Sequence, residues 1–120
     1  MKKCIYVVED NATIREMIEF LLIEEQYDVK VCPNTSMFWQ EMQHHKPDMV
    51  VLDVMLPDGN GLDICAKLKR NVKTYDIPVM IMSAGNQLSQ IKAKCEAEDF
   101  INKPFDLNDF VHRVEHHVQN

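Results

Sequence analysis

Met49-Val50-Val51-Leu52-Asp53 decides how this chain of 120 residues folds. Four apolar residues follow one another without alternation, and a carboxylate ends the run. Continuous apolarity of this kind suits a strand buried on both faces, the position of a central strand in a parallel sheet covered by helices. Cys4-Ile5-Tyr6-Val7-Val8 and Val79-Met80-Ile81-Met82 read the same way. Asp28-Val29-Lys30-Val31 instead alternates polar with apolar and predicts an edge strand, and residues 98–101, polar at their start, predict the other edge. Stripes at helical spacing lie between the strands: Ile14, Ile18, Leu21 and Leu22 after Asn11; Phe38, Met42 and His45, entered near Asn34; Leu62, Cys65, Ala66 and Leu68; Leu88, Ile91 and Cys95; and Phe110, Val111, Val114 and Val118 after an N-cap at Asp106. Strand and helix alternate five times, which calls for crossover connections and one parallel sheet.

Composition bounds the function. Thirteen Lys and Arg stand against 19 Asp and Glu, a net charge of −6, without any basic run. A chain so charged lacks the electrostatic footprint of direct nucleic-acid or anionic-membrane binding. No apolar run has the length of a membrane span, and the run after Met1-Lys2-Lys3 ends at Glu9-Asp10, too soon for a signal peptide. The expected location is the cytoplasm. Cys4, Cys32, Cys65 and Cys95 are widely spaced without a zinc-ligand pattern, so reduced structural thiols are expected. The length accommodates one domain, residues 1–120.

Ligands of open α/β sheets bind beyond the carboxyl ends of the strands. The residues at those ends are Glu9 and Asp10, Asp53, Ser83 and Lys103. A lone carboxylate at a strand end is commonly a cap or a solvated charge, but here three acids, a hydroxyl and an ammonium fall on one rim. Three neighbouring carboxylates repel unless positive charge joins them. Lys103 supplies one charge, and the remaining deficit of about two matches a divalent cation; oxygen-only ligands favour Mg²⁺. An Asp also serves as a nucleophile toward phosphorus. Asp53, central on the sheet, is the best placed. The turn Pro57-Asp58-Gly59-Asn60-Gly61 is expected to use its glycines for positive φ. His112 and His116, one helical turn apart, read as a solvated helix face rather than a metal pair.

Glu9-Asp10-Asn11, the stretch Val51-Leu52-Asp53-Val54-Met55-Leu56-Pro57-Asp58-Gly59-Asn60-Gly61, Ile81-Met82-Ser83-Ala84 and Asp99-Phe100-Ile101-Asn102-Lys103-Pro104-Phe105 together resemble the successive motifs of a CheY-like response-regulator receiver domain of two-component signalling. The resemblance runs through essentially the whole chain. It implies a doubly wound five-stranded parallel sheet, (βα)5 and flavodoxin-like, with strand order 2-1-3-4-5. It implies that Asp53 accepts a phosphoryl group from a sensor histidine kinase, a phosphotransferase or a small phosphodonor. Mg²⁺ would be held by Asp10, Asp53 and the backbone carbonyl of Met55, with Glu9 acting through water. Lys103 would stabilise the transferring group and Ser83 would bond the phosphoryl oxygen. Phe100 matches the switch aromatic; lacking a hydroxyl, it is expected to favour the inward rotamer before phosphorylation. Lys103-Pro104 matches a cis-peptide site, although X-Pro bonds as a class favour trans.

Such a domain is a phosphoacceptor switch with self-catalysed phosphorylation and slow autodephosphorylation, not a turnover enzyme. Its readout surface would be the fourth helix, fifth strand and fifth helix, where the resemblance leaves homodimerisation, docking on a kinase or phosphotransferase, and regulation of an attached effector all open. Glu9 stands where Asp is commoner. Glu96-Ala97 stands where Gly is usual, so positive φ is expected there or a different turn, and the interval from Ser83 to Lys103 is short for the family. A flavin carrier would need a Gly-, Ser- or Thr-rich phosphate loop where Glu9-Asp10 stands. An aspartyl-phosphate hydrolase would need a second acid where Met55 stands. The alternative that survives is a receiver-like docking module without phosphorylation. The chain stops just past the last helical stripe with no linker begun, so either a single-domain regulator or the N-terminal receiver of something longer is expected, the former slightly favoured.

Overall fold

The computed structural model describes residues 2–85, 88–93 and 95–118; the chain ends, Met1 and Gln119-Asn120, lie outside the described residues. Five parallel strands form one sheet: β1 (Cys4–Val8), β2 (Asp28–Cys32), β3 (Met49–Asp53), β4 (Val79–Ala84) and β5 (Asp99–Lys103), ordered β2-β1-β3-β4-β5. The three strands with continuous apolar runs are the central ones, and β1 and β3 are buried at every position. The alternating β2 and the polar-tipped β5 are the edges, as their sequences predict.

Side-chain alternation along each strand feeds two core layers. Tyr6, Val8, Val50, Leu52, Val79 and Ile81 face one way, and there meet Phe38 of α2 (Thr35–His44), Ile64, Cys65 and Leu68 of α3 (Gly61–Lys69) and Ile91 of α4 (Leu88–Lys92). Ile5, Val7, Met49, Val51, Met80 and Met82 face the other way, onto Ile18 and Leu22 of α1 (Ala12–Glu24) and Phe110, Val111, Val114 and Val118 of α5 (Leu107–Val118). The sheet is therefore doubly wound.

Helix starts follow side-chain capping chemistry. Asn11, Asn34 and Asn60 precede α1, α2 and α3 and accept from the backbone N–H groups of Ile14 (3.0 Å), Met37 (2.9 Å) and Leu62 (2.7 Å). Asp106 does the same for Asp109 at 2.9 Å. The loop after β3 folds back as a small antiparallel ribbon, Met55–Leu56 against Gly59–Asn60. At its turn Asp58 accepts from the N–H groups of Thr35 (2.8 Å) and Ser36 (3.1 Å), so this loop also caps α2.

Three expectations need correction. The fourth helix ends at Lys92, before Cys95, and β5 covers Asp99–Lys103 rather than 98–101. Cys95 is apolar at helical spacing because it packs on the core from a loop, a situation periodicity does not distinguish from a helix. Among the described residues only Gln26 and Gly85 have positive φ, so Glu96 and Ala97 take the different turn that the sequence also allowed. Gly59 and Gly61 do not use it either, and Gly61 is required for a different reason given below.

Candidate functional site

Register aligns the strand ends at one rim. Val8 pairs with Leu52, Asp53 with Met82, Ser83 with Asn102 and Ala84 with Lys103, so the residues that follow β1 and those that end β3, β4 and β5 converge. Ligand oxygens of Glu9, Asp10 and Asp53 lie within 4.8 Å of one another. Glu9 is fully buried and Asp53 nearly so, while Asp10 is exposed.

The acid turn is held from several directions. The Glu9 carboxylate accepts from the Asn11 N–H at 3.0 Å, and its backbone N–H donates to the Cys32 carbonyl at 3.0 Å. Arg15, one turn into α1, donates to the carbonyls of Glu9 (2.9 Å) and Asp10 (3.1 Å). Lys103 reaches across the rim, its Nζ bonding both a Glu9 oxygen and Asp53 Oδ2, the latter at 3.0 Å. The Lys103–Pro104 bond is cis. Ser83 is buried, its hydroxyl 3.4 Å from the Ala84 carbonyl. Met55 follows two residues after Asp53 in the ribbon, with its side chain in solvent.

Electrostatics follow from this packing. Burial pushes the Glu9 carboxyl up, opposed by the Lys103 ammonium and the Asn11 N–H. Burial alone pulls the Lys103 ammonium down, but its bonds to Glu9 and Asp53 outweigh that and hold it above the ordinary lysine value. Lys103 is therefore charged. One ammonium among three carboxylates leaves about two charges uncompensated, and the donors are all oxygen, a set that fits Mg²⁺.

Gly61 belongs to the site for a steric reason. A Cβ there would stand 2.1 Å from the Asp53 carbonyl oxygen and 3.0 Å from its carbon. The chain folds tightly over the back of Asp53, and the Gly61 N–H donates to the Val54 carbonyl at 2.8 Å. The motif carries this glycine, but sequence reasoning assigned it to turn conformation. Arg15 was missed as well, since a cation in a first helical turn carries no signal of carbonyl binding.

Phe100 is half-buried and packs on the layer containing α2, α3 and α4, with the Lys92 ammonium 5.9 Å from its ring centre. It is not turned fully outward. On α5, Arg113 bonds Asp99 at 2.7 Å and His117 faces the same carboxylate at 3.0 Å. Only Glu9, Asp10 and Asp53 form a metal-compatible acid cluster among the described residues.

The response regulator receiver domain family matches residues 5–115, and the chain belongs to that family. It is 36% identical over 114 residues to the phosphate regulon transcriptional regulatory protein PhoB of Pseudomonas aeruginosa, an alignment spanning 93% of this chain and 50% of PhoB. The chain thus spans about half the length of that curated relative. A crystal structure of a putative response regulator from Chloroflexus aurantiacus superposes with a TM-score of 0.93 at 24% identity over the full length of both chains. The receiver domain of the sensor histidine kinase PA1611 from Pseudomonas aeruginosa, with a magnesium ion coordinated in its active-site cleft, superposes with a TM-score of 0.87 at 20% identity, again over both full lengths. Receiver domains of two-component systems are phosphoacceptors whose phosphorylation is Mg-dependent. No helix among the described residues is long and apolar enough to cross a membrane.

Proposed function

We propose that this chain is a phosphoacceptor switch in which Asp53 receives the phosphoryl group. The observation that carries this is the convergence of Glu9, Asp10 and Asp53 with Lys103 bridging two of them at the carboxyl rim of the sheet. An Asp53 carboxylate oxygen attacks phosphorus as the bond to the donor breaks. The donor's leaving group, an imidazole or an acetate, carries off the electron pair. Asp10, Asp53 and the Met55 carbonyl would hold Mg²⁺, with Glu9 reaching it through water. When bound, that ion offsets the negative charge of the transferring group.

Lys103 already lies against the Asp53 oxygen, so its ammonium can pair with the phosphoryl group without a long excursion. Arg15 and Asn11 keep the acid turn in place while charge redistributes. Among the described residues the Ser83 hydroxyl has only a long contact to its neighbour's carbonyl, which leaves it a donor for the phosphoryl oxygen. That bond draws the loop after β4 inward and lets Phe100 move further into its core layer. The surface of α4, β5 and α5 then changes, and it either dimerises or docks a partner. The phosphodonor is a sensor histidine kinase, a phosphotransferase or a small acyl phosphate, acting in the cytoplasm.

Incubation with acetyl phosphate and Mg²⁺ tests this directly. Intact mass should rise by one phosphoryl group, and Asp53→Asn should abolish the gain. A folded wild-type protein that takes none, or an Asp53→Asn protein that still does, overturns the reading and leaves a docking module.

A further inference from the structure

Cys65 lies on the buried face of α3 and Cys95 in the loop between α4 and β5, yet their sulfurs are 3.3 Å apart, with the Cys95 thiol donating to Cys65. A disulfide requires an S–S distance of about 2.05 Å. Closing the bond therefore needs an approach of only about 1.2 Å. The other two cysteines have no such geometry. Val8 pairs with Cys32 while Cys4 pairs with Asp28, which puts Cys4 and Cys32 at opposite ends of adjacent strands, about 13 Å apart along the chain direction.

The two sulfurs differ in access. Cys65 is 1% exposed. Cys95 is half-buried and lines a cavity of about 90 Å³ with Leu62, Ala66, Lys69, Arg70 and Glu96. A small disulfide therefore reaches Cys95 first. Burial pushes the Cys65 thiol up to about 12 and its sulfur is shut off from solvent, so the partner it can meet is the sulfur beside it.

We propose that Cys65 and Cys95 form a reversible disulfide, a redox latch that ties the segment leading into β5 to α3. The oxidant is a low-molecular-weight disulfide of the glutathione class. The Cys95 thiol gives up its proton, its thiolate attacks one donor sulfur as the donor S–S bond breaks, and the departing donor thiolate takes up that proton to leave as a thiol. Cys65 then displaces the second donor thiol, which takes the Cys65 proton as it leaves. Two protein thiols are oxidised and one donor disulfide is reduced to two thiols.

The latch acts on the core layer that holds Phe100. Cys95, Ala97 and Phe100 all pack on that layer with Cys65. A bond from Cys95 to α3 restrains the backbone just before β5 and opposes movement of Phe100. This regulatory consequence rests on the phosphoacceptor reading, whereas formation of the bond does not.

Excess oxidised glutathione is the probe. Free thiols should fall from four to two, a non-reducing peptide map should join the Cys65 and Cys95 peptides, and dithiothreitol should restore all four. In Cys95→Ser, whose substitution is at a half-buried loop position, the three remaining thiols should stay free. Four persistent thiols, a glutathione adduct on Cys95 that never closes, or bonds only between chains would each overturn the latch. In the second arm, reduced and oxidised protein are given acetyl phosphate and Mg²⁺. The oxidised form should gain the phosphoryl group several-fold more slowly, and glutathione-treated Cys95→Ser should keep the rate of the reduced form. Equal rates would overturn the regulatory consequence. A reduced protein that gains nothing would overturn the phosphoacceptor reading while leaving the thiol count to judge the bond.

Discussion

Gly61→Ala isolates the close approach behind Asp53, because two physical effects predict opposite signs for it. Gly61 is the first residue of α3 and has no positive φ, so in open space an added methyl would restrict the unfolded chain and stabilise the protein by about 0.4–1 kcal/mol. The space is not open. The three nearest atoms to the new Cβ are the Asp53 carbonyl oxygen at 2.1 Å, the Asp53 carbon at 3.0 Å and the Val54 Cα at 3.4 Å, all backbone and none able to rotate away. Relief to even 3.0 Å moves the chain about 1 Å at the end of a fully buried central strand. Overpacking of this kind typically costs about 1–3 kcal/mol, and the backbone origin of the clash puts it at the upper end. The net loss is then about 2 kcal/mol, or roughly 8 °C in Tm for a domain of this size. Urea unfolding at neutral pH measures it. Gly59→Ala is the control: its Cβ meets a Thr35 methyl at 3.2 Å, which can turn aside, so the change should stay within about 0.5 kcal/mol. Phosphorylation of Gly61→Ala by acetyl phosphate should also slow, since the displaced strand end carries Asp53. A Gly61→Ala protein as stable as wild type, or more so, would refute the argument.

Three further perturbations test other parts of the structure. Asp58→Ala removes the acceptor for the Thr35 and Ser36 N–H groups; those bonds hold the Asp58 carboxyl below its ordinary value of 3.8, so the stabilisation is present above that pH and lost as pH falls through the lowered folded value. Thermal melts should therefore separate wild type from Asp58→Ala at neutral pH and merge in acid. Tyr6→Phe removes the hydroxyl that donates to the His45 carbonyl, with the Glu41 carbonyl a second, longer contact at 3.3 Å, and should cost about 1 kcal/mol in urea unfolding. Lys69→Met should cost about 2 kcal/mol by the same assay, because the ammonium bonds the Tyr75 and Ile77 carbonyls and the Glu98 carboxylate, which in turn accepts from the Val79 N–H at the start of β4.

What was legible in the sequence follows from how each element is buried. β1, β3 and β4 are enclosed on both faces, so their apolar runs announce them, and β2 shows alternation because one edge strand is half solvated. β5 was harder. Its last residues, Asn102 and Lys103, are polar because they border the rim, and polarity there reads as the end of a strand. The convergence of Glu9, Asp10, Asp53, Ser83 and Lys103 was legible because parallel topology brings all carboxyl ends to one edge. Contacts that depend on exact chain paths were not. Nothing in the spacing of Cys65 and Cys95 indicates that α3 and a loop bring their sulfurs together, and nothing in Pro57-Asp58-Gly59-Asn60-Gly61 separates a glycine needed for positive φ from one needed to clear a carbonyl oxygen.

The shortness of α4 has a consequence for how the protein exchanges with solvent. Its five described residues form barely more than one turn, too few by themselves to offset the entropy of nucleating a helix, and only Ile91 of the five is buried. Its order is borrowed from the core layer beneath it. α1, with thirteen residues, an Asn cap and two fully buried side chains, carries its own cooperative ladder. Amide protons of α4 should therefore reach deuterium through local opening, long before those of α1 or β3, whose release requires global unfolding. In a signalling domain that gradient gives the α4 surface a lower free-energy cost of rearrangement than α1 or the strands that position the acids.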